Sequence, residues 1–115
     1  MKYSESLKKT KDFQNVYRRG KSYANRYLVM YVLSNQTEGN RLGISVSKKV
    51  GNSVVRHRVT RLIRESIRLN EEKFARGYDI VIIARNTAKG KKYSDIASAF
   101  LHLGKMHKIL RDDQL

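Results

Sequence analysis

At 115 residues the chain has room for a single domain, 1–115, and no second core. Its 25 Lys and Arg face only 10 Asp and Glu, a formal charge of +15, while 40% hydrophobic residues suffice for a modest core. Self-repulsion on that scale calls for a polyanionic partner, and the lack of cysteine excludes disulfides and thiolate metal sites.

Thr10 to Arg19 reads as a short helix. Thr10 can cap it, Phe13, Val16 and Tyr17 fall on one side, and Gly20 ends it. Tyr23 to Leu33 reads as a long strand that a bend can divide in two. Tyr27, Val29, Tyr31 and Leu33 share one face; Leu28, Met30 and Val32 share the other. Both faces are apolar, so both are expected to be covered. A polar turn with Gly39-Asn40 leads to a second strand, Leu42 to Ser47, and the two strands read as an antiparallel hairpin.

Asn52 or Ser53 then offers a cap for a helix running to about Leu69. Ile80 to Ala84 is a continuous apolar strand suited to a sheet centre. Ser94 or Asp95 can start a last helix, with Ile96, Phe100, Leu103 and Ile109 near one face. The order α-β-β-α-β-α predicts a small single-domain α+β fold, an α/β sandwich with helices packed on a central sheet.

The helix after Asn52 carries the densest information. Val55, Val59, Leu62 and Ser66 form its core stripe, with Ile63 at one margin. His57, Arg61, Arg64 and Arg68 follow an i, i+4, i+7, i+11 series on the opposite side, and Arg56 and Arg58 flank the margins. Glu65 is the helix's one acid. Solvated helix faces usually mix signs so that neighbours attract. A ladder of guanidinium groups is instead explained by phosphates between the rungs, since the planar fork can donate two hydrogen bonds to one phosphate. Lys48 and Lys49 precede the helix N-terminus, where free N–H groups and the dipole also favour phosphate.

No bond-breaking chemistry stands out. Glu71 and Glu72 diverge on a helix, His102 and His107 are badly spaced for one metal, and Asp79 reads as a strand-edge residue. No catalytic residue and no protein-held metal are expected. No apolar run approaches the roughly 20 residues of a spanning helix, and MKYSESLKK lacks the apolar stretch of a signal peptide. A cytoplasmic protein is expected, without membrane or stable protein partner.

The stretch SVSKKVGNSVVRHRVTRLIRE, from Ser45 to Glu65, resembles the signature of bacterial ribonuclease P proteins, in which Ser-Lys-Lys leads through Gly-Asn into an Arg-Asn-Arg helix. Lys48, Lys49, Gly51, Asn52, Arg56, Arg58, Arg61, Arg64 and Glu65 match it. His57 replaces the usual Asn, and Thr60 stands where Lys is common. The likeness extends to DFQNVYRRG, from Asp12, and ANRYLVMY, from Ala24.

The resemblance implies a protein subunit that binds ribonuclease P RNA through Lys48, Lys49, Asn52, Arg56, His57, Arg58, Arg61, Arg64 and Arg68. It implies a cleft for the 5′ leader of precursor tRNA at Phe13, Tyr17 and Tyr31, with Arg26 serving a nearby phosphate and Asn25 shaping the backbone. It also implies catalytic Mg²⁺ held by the RNA, and a left-handed crossover around the basic helix. Taken alone, Phe13 and Tyr17 suit ordinary helix-to-sheet packing better than ligand contact, although rings there can stack on unpaired bases of any identity. The rival readings are a helix-turn-helix DNA-binding protein, a ribosomal protein and a peripheral membrane protein. The first would need a mixed reading helix instead of an almost pure arginine face.

Overall fold

Apolar segments at the centre and short, mostly polar ones at both edges produce one mixed five-stranded sheet in the computed structural model, which describes residues 4–114. In chain order the elements are β1 (Ser4–Ser6), α1 (Thr10–Arg19), β2 (Lys21–Ala24), β3 (Leu28–Ser34), β4 (Asn40–Ser45), α2 (Ser53–Asn70), β5 (Tyr78–Ala84) and α3 (Tyr93–Met106). The sheet order is β1-β4-β5-β3-β2. β1 and β5 both run parallel to β4, and β3 runs antiparallel to β5 and to β2.

The long apolar segment does bend. Asn25 Oδ1 accepts from the Tyr27 and Leu28 N–H groups, and its Nδ2 donates to the Ala99 carbonyl oxygen at 2.9 Å. The bend separates β2 from β3 and sends Tyr27 to the core on the α3 side, away from the face of Tyr31.

The expected hairpin of β3 with β4 does not form. β5, the most buried strand, lies between them, pairing Met30 with Ile82 on one side and Ile44 with Ile82 on the other. A strand apolar on both faces gains most at the sheet centre, and the α2 crossover permits its parallel pairing with β4.

One face of the sheet packs on α2 and α3 through Leu28, Met30, Ile80, Ile82, Val59, Ile63, Ile67, Ile96, Phe100 and Leu103. Full burial of each such side chain contributes about 1.5–3 kcal/mol. The other face carries α1 alone, through Leu7, Val16 and Val81. One short helix cannot cover that whole face, so Tyr31, Leu33 and Ile83 remain partly accessible.

Local details depart from expectation. Lys9, whose side chain makes no cap bond, precedes α1, and Thr10 is its first helical residue. α3 begins at Tyr93, where the Asp95 carboxylate accepts from the Lys92 N–H. Ile109 is buried but lies beyond α3, after Lys108 turns the chain with φ 59°. On α2 the buried residues are Val59, Ile63, Ser66, Ile67 and Asn70, so the core face is rotated toward Ile63 and Ile67. Val55 and Leu62 are only half-buried.

Candidate nucleic-acid interface

The basic helix is started by its cap. Asn52 is extended, and its Oδ1 accepts from the Val55 N–H at 3.0 Å. Gly51 is needed immediately before it, because a Cβ there would lie 2.7 Å from Val55 Cγ1. Val50 is buried and its N–H bonds to the Ser47 carbonyl oxygen, so the turn is anchored inward while Lys48 and Lys49 stay exposed. Ser53 and Val54, whose N–H groups belong to the first turn and have no intrahelical acceptor, are exposed residues at the positive end of the helix.

Along α2 the side chains of His57, Arg58, Arg61, Arg64 and Arg68 are exposed. Arg68 is the exception in charge balance. Its Nε donates to Glu65 at 3.0 Å and its Nη2 makes a second contact with the same carboxylate. That hydrogen-bonded cation holds the Glu65 carboxyl below its usual range. Among the described residues, Arg58, Arg61 and Arg64 form no ion pair. Arg56 sits differently, half-buried at the margin, with a buried Nε that has no hydrogen-bond partner. Thr60, one turn on, donates its hydroxyl to the Arg56 carbonyl oxygen.

The aromatic residues gather on the opposite face of the sheet. The Phe13 and Tyr17 ring centroids are 6.4 Å apart, and Tyr17 meets Tyr31 edge-on at 5.1 Å. Burial pushes the Tyr17 hydroxyl pKa up, against the lowering effect of a hydrogen bond with the Ser45 side chain. Beside these rings the register aligns Ala24, Val29, Ile83 and Ser45 across the sheet. Val29, Ile83 and Ser45 are half-buried, forming a partly open floor next to α1.

Arg26 is not brought to the rings. It lies at the β2–β3 bend, its guanidinium over Tyr27 at 5.7 Å, bordering a hollow with Asp95, Ser98 and His102 of α3. The resemblance implied a place near the rings, and the bend at Asn25 instead carries Arg26 to the α3 side. Sequence reasoning also passed over Arg85, whose Nη1 donates to the Asn25 carbonyl oxygen at 2.7 Å. Ser45 pairs in register with Ile83, so the turn holding Lys48 and Lys49 and the one starting at Arg85 leave the same end of the sheet.

Asp79 has a role the sequence did not disclose. It is 2% exposed, near the start of the central strand and not at a sheet edge. Arg41 Nε and Nη2 donate to its two oxygens at 2.9 and 2.6 Å, and Asn35 Nδ2 donates at 3.0 Å. Burial alone would raise its pKa, but these donors hold it below the ordinary 3.8. Among the described residues no three His, Asp or Glu side chains gather as a metal site, and no helix is long and apolar enough to cross a membrane.

Fold and surface together define a small basic α+β protein that presents an arginine-lined helix on one side of its sheet and a partly exposed aromatic cluster on the other. The family model for ribonuclease P matches residues 1–108. A ribonuclease P protein component from Lachnoclostridium phytofermentans is 63% identical over 111 residues, covering 96% of either chain. The solved ribonuclease P protein of Staphylococcus aureus superposes with a TM-score of 0.84 at 39% identity, covering 92% of this chain and 97% of that one. The Thermotoga maritima protein gives 0.81 at 31% identity, covering 89% and 96%. The chain belongs to the ribonuclease P protein family.

Proposed function

We propose that this chain is the RNA-binding subunit of ribonuclease P, acting in the cytoplasm on the 5′ leader of precursor tRNA. The observation that carries this reading is the run of exposed Arg58, Arg61 and Arg64, without ion pairs among the described residues, beside Lys48, Lys49 and the start of α2. Like charges at helical spacing repel one another. Phosphates of the RNA subunit relieve that repulsion, and each contact releases condensed counterions.

The rings of Phe13, Tyr17 and Tyr31 receive the single-stranded leader, since stacking on a ring tolerates every base. The open floor of Val29, Ile83 and Ser45 gives the strand a path along the sheet. A precursor carrying a leader is thereby preferred over mature tRNA, which has none. The chain's own residues bind and orient; the Mg²⁺ ions and the phosphodiester cleavage belong to the RNA subunit in this reading. Its site residues, the RNA and tRNA partners and the magnesium requirement stand or fall together.

The direct experiment is reconstitution with a bacterial ribonuclease P RNA at low magnesium, scored by release of the leader from precursor tRNA. Cleavage that depends on this protein supports the reading; RNA-alone rates in its presence reject it.

A further inference from the structure

One face of β4 faces α1, and it carries Arg41 and then Gly43. Arg41 is doubly bonded to the buried Asp79, which fixes the plane of its guanidinium from the β5 side. The remaining Nη1 points at α1, 3.6 Å from Asp12 Oδ2. Two residues along, the Phe13 ring lies directly over Gly43, where a Cβ would sit 2.4 Å from the ring's ζ carbon. Consecutive residues of α1, Asp12 and Phe13, are thus seated on alternate residues of one strand, the first by charge and the second by shape.

We propose that Arg41 is a positioning residue that sets where α1 stands over the sheet, and with it the geometry of the Phe13–Tyr17–Tyr31 cleft. The inference rests on the leader-cleft reading above. α1 is a helix of 10 residues, a length that is marginal without tertiary contacts. Its one fully buried residue is Val16, with Phe13 and Tyr17 partly buried beside it, and the Arg41–Asp12 pair adds a charged contact to its first turn. Tyr17 projects one turn beyond Phe13 to meet Tyr31, and tilting the first turn moves both rings. Arg41, with one face of its fork spent on Asp79, is also set apart from the cations offered to RNA.

The discriminating variant is Asp12→Asn, which leaves the buried Arg41–Asp79 pair intact. It also makes the protein more positive. A purely electrostatic role for Asp12 therefore predicts tighter leader binding, whereas a positioning role predicts weaker binding. In the reconstituted holoenzyme, Asp12→Asn is expected to lower the preference for precursor over mature tRNA by about three- to tenfold, the scale of a small misplacement. Asp12→Glu should restore most of it, and affinity for the RNA subunit should not fall.

In the free protein, NMR should show the Tyr31 ring signals, shifted by the edge-on Tyr17 ring, moving in Asp12→Asn and in Arg41→Lys, which keeps the charge and loses the fork. Unmoved ring signals, or unchanged or tighter precursor binding in Asp12→Asn, overturn the proposal. Tyr31→Ala run alongside separates the two levels. If it too leaves the preference unchanged, the cleft reading has failed and the proposal with it; if it alone abolishes the preference, only the positioning role has failed.

Discussion

The ring of Tyr17 on α1 meets the ring of Tyr31 on β3 edge-on, with centroids 5.1 Å apart, across the one sheet face that a single helix leaves partly open. Such pairs contribute about 0.5–1.5 kcal/mol beyond their area. A tyrosine pair left half-accessible is therefore both part of the packing and available to a ligand. Replacing Tyr31 with Ala is expected to weaken precursor binding to the holoenzyme by about 1–3 kcal/mol, the worth of one base–aromatic stack. Mature tRNA binding should be unchanged. Binding titrations with both RNAs check this, and equal loss for both rejects the leader assignment.

His107 supplies a pH-dependent term in stability. Burial, together with nearby Lys21, holds its pKa below the ordinary 6.5, although its contact with the Met30 carbonyl oxygen at 2.8 Å works the other way. The unfolded chain then takes up the proton more readily than the folded one. This contribution is fully present above about pH 6.5 and is lost as pH falls through the folded-state pKa. Denaturant titrations from pH 8 to pH 5 should show stability falling with acid, and His107→Gln should flatten that part of the curve. A curve of the same slope in the variant contradicts the assignment.

The cap on α2 is a separable element. Asn52→Ala removes the acceptor of the Val55 N–H and is expected to cost about 0.5–2 kcal/mol of stability. Asn52→Asp should retain the cap. Thermal melts of the free protein measure both, and an unchanged melting temperature in the alanine variant would show that the helix starts without its cap.

The helices were legible because their signal is local. The repeat of Val59, Ile63, Ser66 and Ile67 on α2 and of Ile96, Phe100 and Leu103 on α3 lies within each segment. Even there the rotation of α2 was misjudged by one stripe, since Leu62 and Ile67 are equally apolar and only packing decides between them. Strand partners were less legible. Alternation tells which residues share a face but not which strand lies alongside, and so β5 displaced the expected pairing of β3 with β4.

The polar edge strand β1, three residues long, has no apolar alternation to detect. The same limit applies to the site. The arginine ladder is a one-helix pattern and was read directly, including its exposed rungs. Arg41 and Asp79 are 38 residues apart, and nothing in either segment announces the other. Arg26, placed near the rings by resemblance, stands apart from them because the bend fixed by Asn25 carries it toward α3.

Within the ladder, Arg61 and Arg64 are exposed and form no ion pair among the described residues, whereas Arg68 already shares Glu65. Replacing Arg61 and Arg64 together with Ala is expected to weaken assembly with the RNA subunit far more than replacing Arg68. Neither change should shift the melting temperature appreciably, since surface substitutions usually stay within about 0.5 kcal/mol. Filter binding and melts on the same preparations compare them. A larger loss from Arg68→Ala would mean that its pairing with Glu65 opens on binding.

The central claim, that phosphates lie along α2 and the turn before it, is tested most directly by the salt dependence of binding to a bacterial ribonuclease P RNA. With Lys48, Lys49, Arg58, Arg61 and Arg64 each neutralising a phosphate, the plot of log K against log salt should have a slope of about −3.5 to −4.5. The double alanine variant at Arg61 and Arg64 should be shallower by about 1.4–1.8. A nearly flat line for the unaltered protein, or the same slope in the variant, contradicts the claim.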